Sequence, residues 1–585
     1  MRRFPSISLA ALTLASTVLV TPALTLAQAH IESKVDIAFN RYYSYEELVE
    51  FMYEFEREYP EIVKTEVIGQ STEGRDMVLV TINNEATGTD TDKPAMWIDG
   101  SIHANEVQAS EVCLYTIWYL TKGYGKNPMI TDLVDRTAFY VLPIVNPDSR
   151  VYWFEEPNTP NSSRGNKRPI DNDRDGLFDE DPPNDLDGDG SITQMWKQEP
   201  GGRWRRSEQD PRIFERVGPD EEGGWTYLGS EGTDLDGDGR INEDGPGGDD
   251  MNRNWPGGWQ PNYVQRGAGE YPLHNPETRC IADFILSKPN IGAVQSYHNT
   301  GGMILRGPGS PTRAGMYPRA DIAVYDELAR IGEDMLPYYR YMVIHEDLYT
   351  VHGGFVNWTA ETLGVISFTN ELWTTEKYFQ RDVQRPDGEQ QWLWRDKMAF
   401  GELFTDFTEY EHPEYGTVLV GGTNKWSARS TPTFMLEEEC HRNFAFTMLH
   451  ASEMAELRFG EPQIERLVDG LWSITFEVHN DRTIPTRTAQ AANRGIGQPD
   501  LLSISGDGFT VLTSGTVSSW RTKQIRRANP ADQDQTRILN NRGIGGKGST
   551  MYRLIVAAQP GVRLELTYAA EKARDISTTI EIPAN

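Results

Sequence analysis

His103 and Glu106, three residues apart in Gly100-Ser101-Ile102-His103-Ala104-Asn105-Glu106, are side chains whose types and spacing can do chemistry. On a turn, this spacing lets an imidazole nitrogen and a carboxylate oxygen converge on one cation, as a catalytic zinc with an open position requires. A polar loop with a helix-starting Glu has the same local pattern, so the reading rests on what the later chain supplies. His298 follows Ser296-Tyr297 at the end of an apolar run and can offer a third donor, although alone it reads equally as a satisfied core histidine. Glu371, in Ser367-Phe368-Thr369-Asn370-Glu371-Leu372, closes another apolar run, where a carboxylate can act as a general base or remain a surface charge.

A second kind of chemistry lies in an acidic interruption from about 154 to 248. It holds Asp171-Asn172-Asp173-Arg174-Asp175-Gly176, Asp185-Leu186-Asp187-Gly188-Asp189-Gly190 and Asp234-Leu235-Asp236-Gly237-Asp238-Gly239. Alternate carboxylates with Gly in sixth place gather hard oxygens around a cation while the Gly permits the turn, which is calcium-loop chemistry. The twelfth positions are Pro182, Trp196 and Gly245 instead of Glu, and paired flanking helices are not evident, so EF-hands are not expected. Residues 171–189 carry nine Asp or Glu against one Arg, so without cations their repulsion favours an extended segment.

The elements that must position these groups alternate in type. Tyr43–Tyr59 has amphipathic helical spacing, Val63–Ile68 and Met77–Ile82 read as strands, and Ala95-Met96-Trp97-Ile98 as a buried strand that hands over to a helix through Thr121. Phe139–Val145 and Ile291–Tyr297 are further apolar strands, Ile322–Leu336 a helix, Leu363–Phe368 a strand, and Cys440–Leu457 a helix. Strands alternating with helices predict an α/β sheet with ligands at the strand ends. Beyond Phe459, period-two runs at Trp472–Val478 and Tyr552–Val556 predict a β-rich region over 461–585; Asn-Arg-Gly-Ile-Gly at Asn493 and again at Asn541 suggests similar turns.

The chain has 585 residues and a formal charge of -31, which argues against nucleic acid or an anionic membrane as partner. Arg2 and Arg3 precede an apolar stretch to about Leu26, and Ala27-Gln28-Ala29 offers a small-residue cleavage site, so residues 1–29 read as a signal peptide. The protein is therefore expected to be secreted or periplasmic, with no membrane anchor after cleavage and no activation propeptide. Three cysteines, Cys113, Cys280 and Cys440, do not make a disulfide scaffold.

Taken together and in this order, His103, Glu106, Arg164, Asn252-Arg253, His298, Tyr349 and Glu371 resemble the site of the zinc carboxypeptidases related to carboxypeptidase A. The resemblance spans about residues 40–457 outside the interruption, and includes Asn146-Pro147-Asp148 and Asp250-Met251-Asn252-Arg253-Asn254-Trp255. It implies an α/β fold with a mixed central sheet flanked by helices, over 30–460; the period-two runs beyond it predict an all-β sandwich-like domain over 461–585. It implies zinc held by His103, Glu106 and His298, with Glu371 as general base towards a zinc-activated water. By the same resemblance Arg253, helped by Asn252, grips the free C-terminal carboxylate of a peptide or protein substrate. A planar guanidinium matches a carboxylate in bidentate fashion. Arg164 corresponds to the arginine that stabilises the developing oxyanion, and Tyr349 to the tyrosine that caps bound substrate. Asn105 stands where the digestive enzymes carry an arginine, so contacts further from the scissile bond are expected to differ. Val356, beside Asn357, falls where side-chain preference is set, and no acid there selects a basic residue. The expected function is that of a secreted zinc carboxypeptidase. The alternatives are a zinc amidase or peptidase acting on cell-wall peptides and a catalytically inactive calcium-dependent binding protein.

Overall fold

The computed structural model describes residues 31–171, 174–380, 388–528 and 533–584, so the leader reading of residues 1–29, and Asp173, lie outside the described residues. Residues 33–585 fall in one compact unit.

An eight-stranded mixed sheet organises the catalytic part. Its strands run in the order Val63–Gln70, Asp76–Ile82, Ala138–Leu142, Ala95–Gly100, Ile291–Asn299, Ile366–Leu372, Met303–Arg306 and Arg340–Val343. The four central strands are parallel, whereas Met303–Arg306 and Asp76–Ile82 pair antiparallel to their inner neighbours. Both faces are buried. Met96 and Ile98 point into one apolar layer with the helices Tyr45–Glu58, Gln108–Gly123, Arg319–Met335 and Thr433–Ser452, while Ala95 and Trp97 point into the other with Pro276–Ser287 and Phe355–Leu363. Such strands read as continuous apolar runs because neither face meets water. The first helix begins where the sequence places a capping box: Ser44 Oγ accepts from Glu47 N at 3.2 Å and Glu47 Oε2 accepts from Ser44 N at 2.9 Å.

The acidic interruption is more ordered than its composition suggests. It contributes Gln194–Gln198, Trp204–Arg206, Phe214–Arg216 and Trp225–Ser230 to a six-stranded sheet, completed by the hairpin Phe404–His412 and Gly416–Thr423 from far along the chain. Trp196 stacks on Phe214 at 3.8 Å and Phe214 meets Phe407 edge-on at 5.4 Å, giving this sheet an aromatic filling.

After Ser452, strands form a second antiparallel pair of sheets, one built on Leu471–Asn480, Gly548–Ala558 and Phe509–Val517 and the other on Asp500–Ser505, Arg563–Ala570 and Ala573–Glu581. Ile474, Phe476, Leu554, Leu502, Leu566 and Ile580 share one core between them, a sandwich arrangement. Arg487 joins the two similar turns, donating to Ile496 O at 2.7 Å and Asn541 O at 3.0 Å. Asp321 of the catalytic part accepts from Ala489 N and Gln490 N, both at 2.8 Å, and docks the sandwich.

Candidate active site

The site forms where the strand order reverses, at the C-terminal ends of Ala95–Gly100 and Ile291–Asn299. Gly100 ends its strand against the next helix, and a Cβ there would lie 2.6 Å from Ala109 O, so only glycine allows this approach. The turn that follows holds His103 and Glu106, and the helix starts only at Gln108. Arg150, fully buried, secures the turn by donating to Val107 O at 3.0 Å while pairing with Glu111 at 2.8 Å.

His298 occupies the end of its strand and stands in register with Glu371 on the adjacent parallel strand. His103 Nδ1 lies 3.0 Å from Glu106 Oε1, His298 Nδ1 lies 2.9 Å from Glu106 Oε2, and the two Nδ1 atoms are 3.1 Å apart. All three side chains are buried. Three Lewis bases this close, with ligand bonds of about 2.0–2.1 Å, match the edges of a tetrahedron around one zinc ion. The donor set therefore fits the metal: two imidazoles and a carboxylate, the mixed nitrogen and oxygen set that zinc takes. Burial works against the charge on Glu106, but His103 and His298 outweigh it and hold its pKa well below the ordinary carboxylate range.

Asp250 braces this set from outside. It accepts from His103 Nε2 at 2.9 Å and from Arg164 Nε at 3.0 Å, and its pKa stays well below the ordinary range because Arg253, His103 and Arg164 overcome its burial. Its proximity to Asn252-Arg253 was the available sequence signal. Arg253 lies on the turn Met251–Arg253, with Nη1 donating to Asn252 O at 2.8 Å. Gly353, at φ 65°, passes so close that a Cβ would sit 2.2 Å from Arg253 O, and its carbonyl accepts from Trp255 N at 3.0 Å. This contact ties the Arg253 turn to the loop that bears Tyr349.

His103, Arg164, Asn252, Arg253, His298, Tyr349, Val356 and Glu371 all line one small cavity of about 50 Å³. Tyr349 stands at its mouth, 58% exposed. Glu371 has its pKa pushed up to about 7, first by burial and then by the nearby Glu106 carboxylate. Sequence reasoning missed Arg429, whose Nη1 lies 3.6 Å from Glu106 Oε1; nothing local in the sequence marks it.

The acidic residues are brought together differently from their order in the chain. Asp234, Asp236 and Asp238 form one group, but Asp175 groups with Glu180 and Asp236, and Asp185 and Asp187 with the buried Glu231. Asp171 and Asp189 stand outside these groups, and like the grouped Asp175, Asp185 and Asp234 they accept backbone N–H groups of their own loops. The three cysteines are free. Among the described residues, no helix is long and apolar enough to cross a membrane.

Two imidazoles and a carboxylate at the switch point of a mixed α/β sheet, with a second, half-buried carboxylate alongside, fit a single-metal hydrolase centre. A zinc carboxypeptidase family model matches residues 48–393, more than half of the chain, and the chain belongs to that family. A domain of unknown function matches residues 456–581. Carboxypeptidase D of Rattus norvegicus is 34% identical over 145 residues, which are 25% of this chain and 10% of that protein. Carboxypeptidase A1 of Mus musculus is 25% identical over 353 residues, 57% of this chain and 64% of that protein. The chain thus covers less than two thirds of either relative. Among solved structures, the carboxypeptidase A from Helicoverpa armigera shares 18% identity over 73% of this chain and 78% of that one, with a TM-score of 0.43. Bovine thrombin-activatable fibrinolysis inhibitor, in complex with tick carboxypeptidase inhibitor, shares 19% over 71% and 97%, with a TM-score of 0.42.

Proposed function

We propose that this protein releases the C-terminal residue of peptides or proteins that carry a free C-terminus. The observation that carries the reading is that Arg253, Asn252, Glu371 and two of the three metal donors, His103 and His298, line one cavity, with Glu106 grouped behind the two imidazoles. His103, Glu106 and His298 would hold zinc, which would supply Lewis-acid chemistry towards water and a carbonyl. Glu371 receives a proton from the attacking water and returns it to the leaving amine. Arg253 and Asn252 receive the terminal carboxylate, which selects the last peptide bond over internal ones. Arg164, held on its aspartate, faces the carbonyl oxygen and stabilises negative charge that develops there. Tyr349 covers the bound residue, and Val356 with Asn357 lines the place of its side chain.

The test is a panel of peptides with free and amidated C-termini, digested with and without a zinc chelator and read by mass spectrometry. Loss of single C-terminal residues from the free forms alone supports the proposal. Cleavage of amidated peptides at the same rate removes the carboxylate anchor, and release of fragments from cell-wall peptides only would favour the amidase alternative. Export of the protein rests on the leader reading of residues 1–29 and is tested by the N-terminal sequence of the mature protein.

A second reading concerns the acidic interruption, which we propose to bind calcium. Glu180 and Glu243 turn carboxylate oxygens inward, where they meet no hydrogen-bond donor and face Asp244 and Asp181. Burial first, and the facing carboxylate next, pushes both up to about 7. Carboxylates placed in this way need a proton or a cation between them.

A further inference from the structure

Arg429 lies between the hairpin Phe404–Thr423 and the helix Thr433–Ser452, and none of the roles above uses it. Its Nη1 donates to Asn299 O at 3.0 Å, directly after His298, and its Nε donates to Asn161 Oδ1 at 3.0 Å. The same Nη1 comes within 3.6 Å of Glu106 Oε1, which Arg164 Nη1 approaches to 3.5 Å from another loop. Two guanidiniums thus flank one metal-binding carboxylate. Their circumstances differ: Arg164 is committed to Asp250 at 3.0 Å, whereas the only ion pair of Arg429 among the described residues is with Glu106, whose oxygens already face two imidazoles. Arg429 therefore keeps unspent positive charge and unused N–H donors, and its side chain is 27% exposed.

Its position gives that charge a direction. Arg429 is absent from the lining of the small cavity that contains Arg253, Tyr349 and Val356. Its partner Asn161 instead lines a larger cavity of about 550 Å³, which shares Arg164 with the small one. Arg429 itself lines neither cavity; its bond to Asn161 and its approach to Glu106 place its guanidinium within reach of both the metal donors and the wall of the larger cavity. The position corresponding to Asn105 offers no cation there, since Asn105 Nδ2 is turned to Pro160 O at 3.2 Å.

Building on the carboxypeptidase reading, we propose that Arg429 is a substrate-binding residue that receives the carboxylate side chain of the residue preceding the one released. The enzyme then prefers Asp or Glu at the penultimate position. A guanidinium with unused donors, facing a carboxylate at a half-screened rim, gives a discrimination of about tenfold over an uncharged isostere.

The experiment uses three blocked dipeptides with a common C-terminal Phe and Glu, Gln or Lys before it, hydrolysed by the zinc-loaded full chain. Wild type is expected to rank Glu above Gln above Lys in kcat/KM, with the Glu advantage shrinking as salt rises. In Arg429→Ala the Glu substrate should lose about tenfold while the Gln substrate changes less than about threefold, and Arg429→Lys should keep part of the preference. A wild-type Glu-to-Gln ratio near one overturns the proposal without any variant. So does an equal drop for all three substrates with lowered zinc content in Arg429→Ala, which would make the residue a support for Glu106 alone. No turnover of any substrate by the wild type removes the carboxypeptidase reading itself, and this proposal with it.

Discussion

His103 and Asp250 stand back to back with the metal set: the imidazole turns Nδ1 towards Glu106 and His298 and Nε2 towards Asp250 Oδ1, 2.9 Å away. A carboxylate behind a liganding imidazole fixes the tautomer and raises its basicity. Asp250→Asn keeps the shape but removes the charge that orients His103, and also frees Arg164. Zinc affinity, measured by competition with a chromophoric chelator, is expected to fall about 10- to 100-fold. An affinity equal to wild type would show that the ring needs no such brace.

Glu371→Gln separates metal binding from proton transfer. The substitution leaves His103, Glu106 and His298 in place, so zinc content should stay at the wild-type level, while turnover is expected to drop about a thousandfold because the amide cannot accept the proton. Turnover within tenfold of wild type, with zinc bound, takes Glu371 out of the mechanism.

The side chains whose place in the fold can be read from the sequence are those whose signal is local. His103, His298 and Glu371 each follow an apolar run that the sheet buries on both faces, so a one-dimensional pattern locates them at strand ends. The helix after Glu106 begins only at Gln108, because Arg150 donates to Val107 O and holds the residues before it as a turn. What the pattern could not reveal depends on distant pairing. Met195 and Trp196 find Val420 and Leu419 more than two hundred residues on, in strands too short and too aromatic to show a period. Arg429 reaches the site through Asn161 and Asn299, and no spacing in the sequence announces such a contact.

His450 gives a pH dependence that belongs to stability instead of catalysis. Its ring is fully buried, neither nitrogen has a hydrogen-bond partner, and burial lowers its pKa from 6.5 to about 3. The unfolded chain takes up this proton as pH falls below about 6.5, and the folded chain does not until about 3, so stability is full above that window and declines within it. At pH 4.5 this one group should cost about 3 kcal/mol relative to neutral pH. In His450→Leu the same decline should be smaller by that amount, as read from urea unfolding at pH 7.5 and 4.5. Parallel losses in the two proteins would mean that the ring finds a proton partner inside the folded state.

The acidic interruption yields the prediction with the clearest sign. Asp181 and Asp244 pair across an isolated bridge, and Asp181 also accepts from Leu235 N at 3.0 Å and Asn242 N at 2.8 Å, so the first and third acidic loops are already joined by backbone contacts. Calcium should therefore stabilise an existing arrangement by relieving repulsion, by about 2.7 kcal/mol when its concentration is a hundred times its Kd. Glu180→Gln and Glu243→Gln should act in two opposite ways: without calcium each raises Tm by removing a facing charge, and with calcium each loses most of the ion's stabilisation. Because Arg164 precedes this segment and Asn252-Arg253 follow it, a chelator selective for calcium over zinc should lower activity along with Tm while zinc stays bound. A Tm and a protease sensitivity that do not change across a calcium titration would reduce these loops to solvated acid, and leave Arg164 and Arg253 positioned without them, by Asp250, Glu106 and the Arg253 turn.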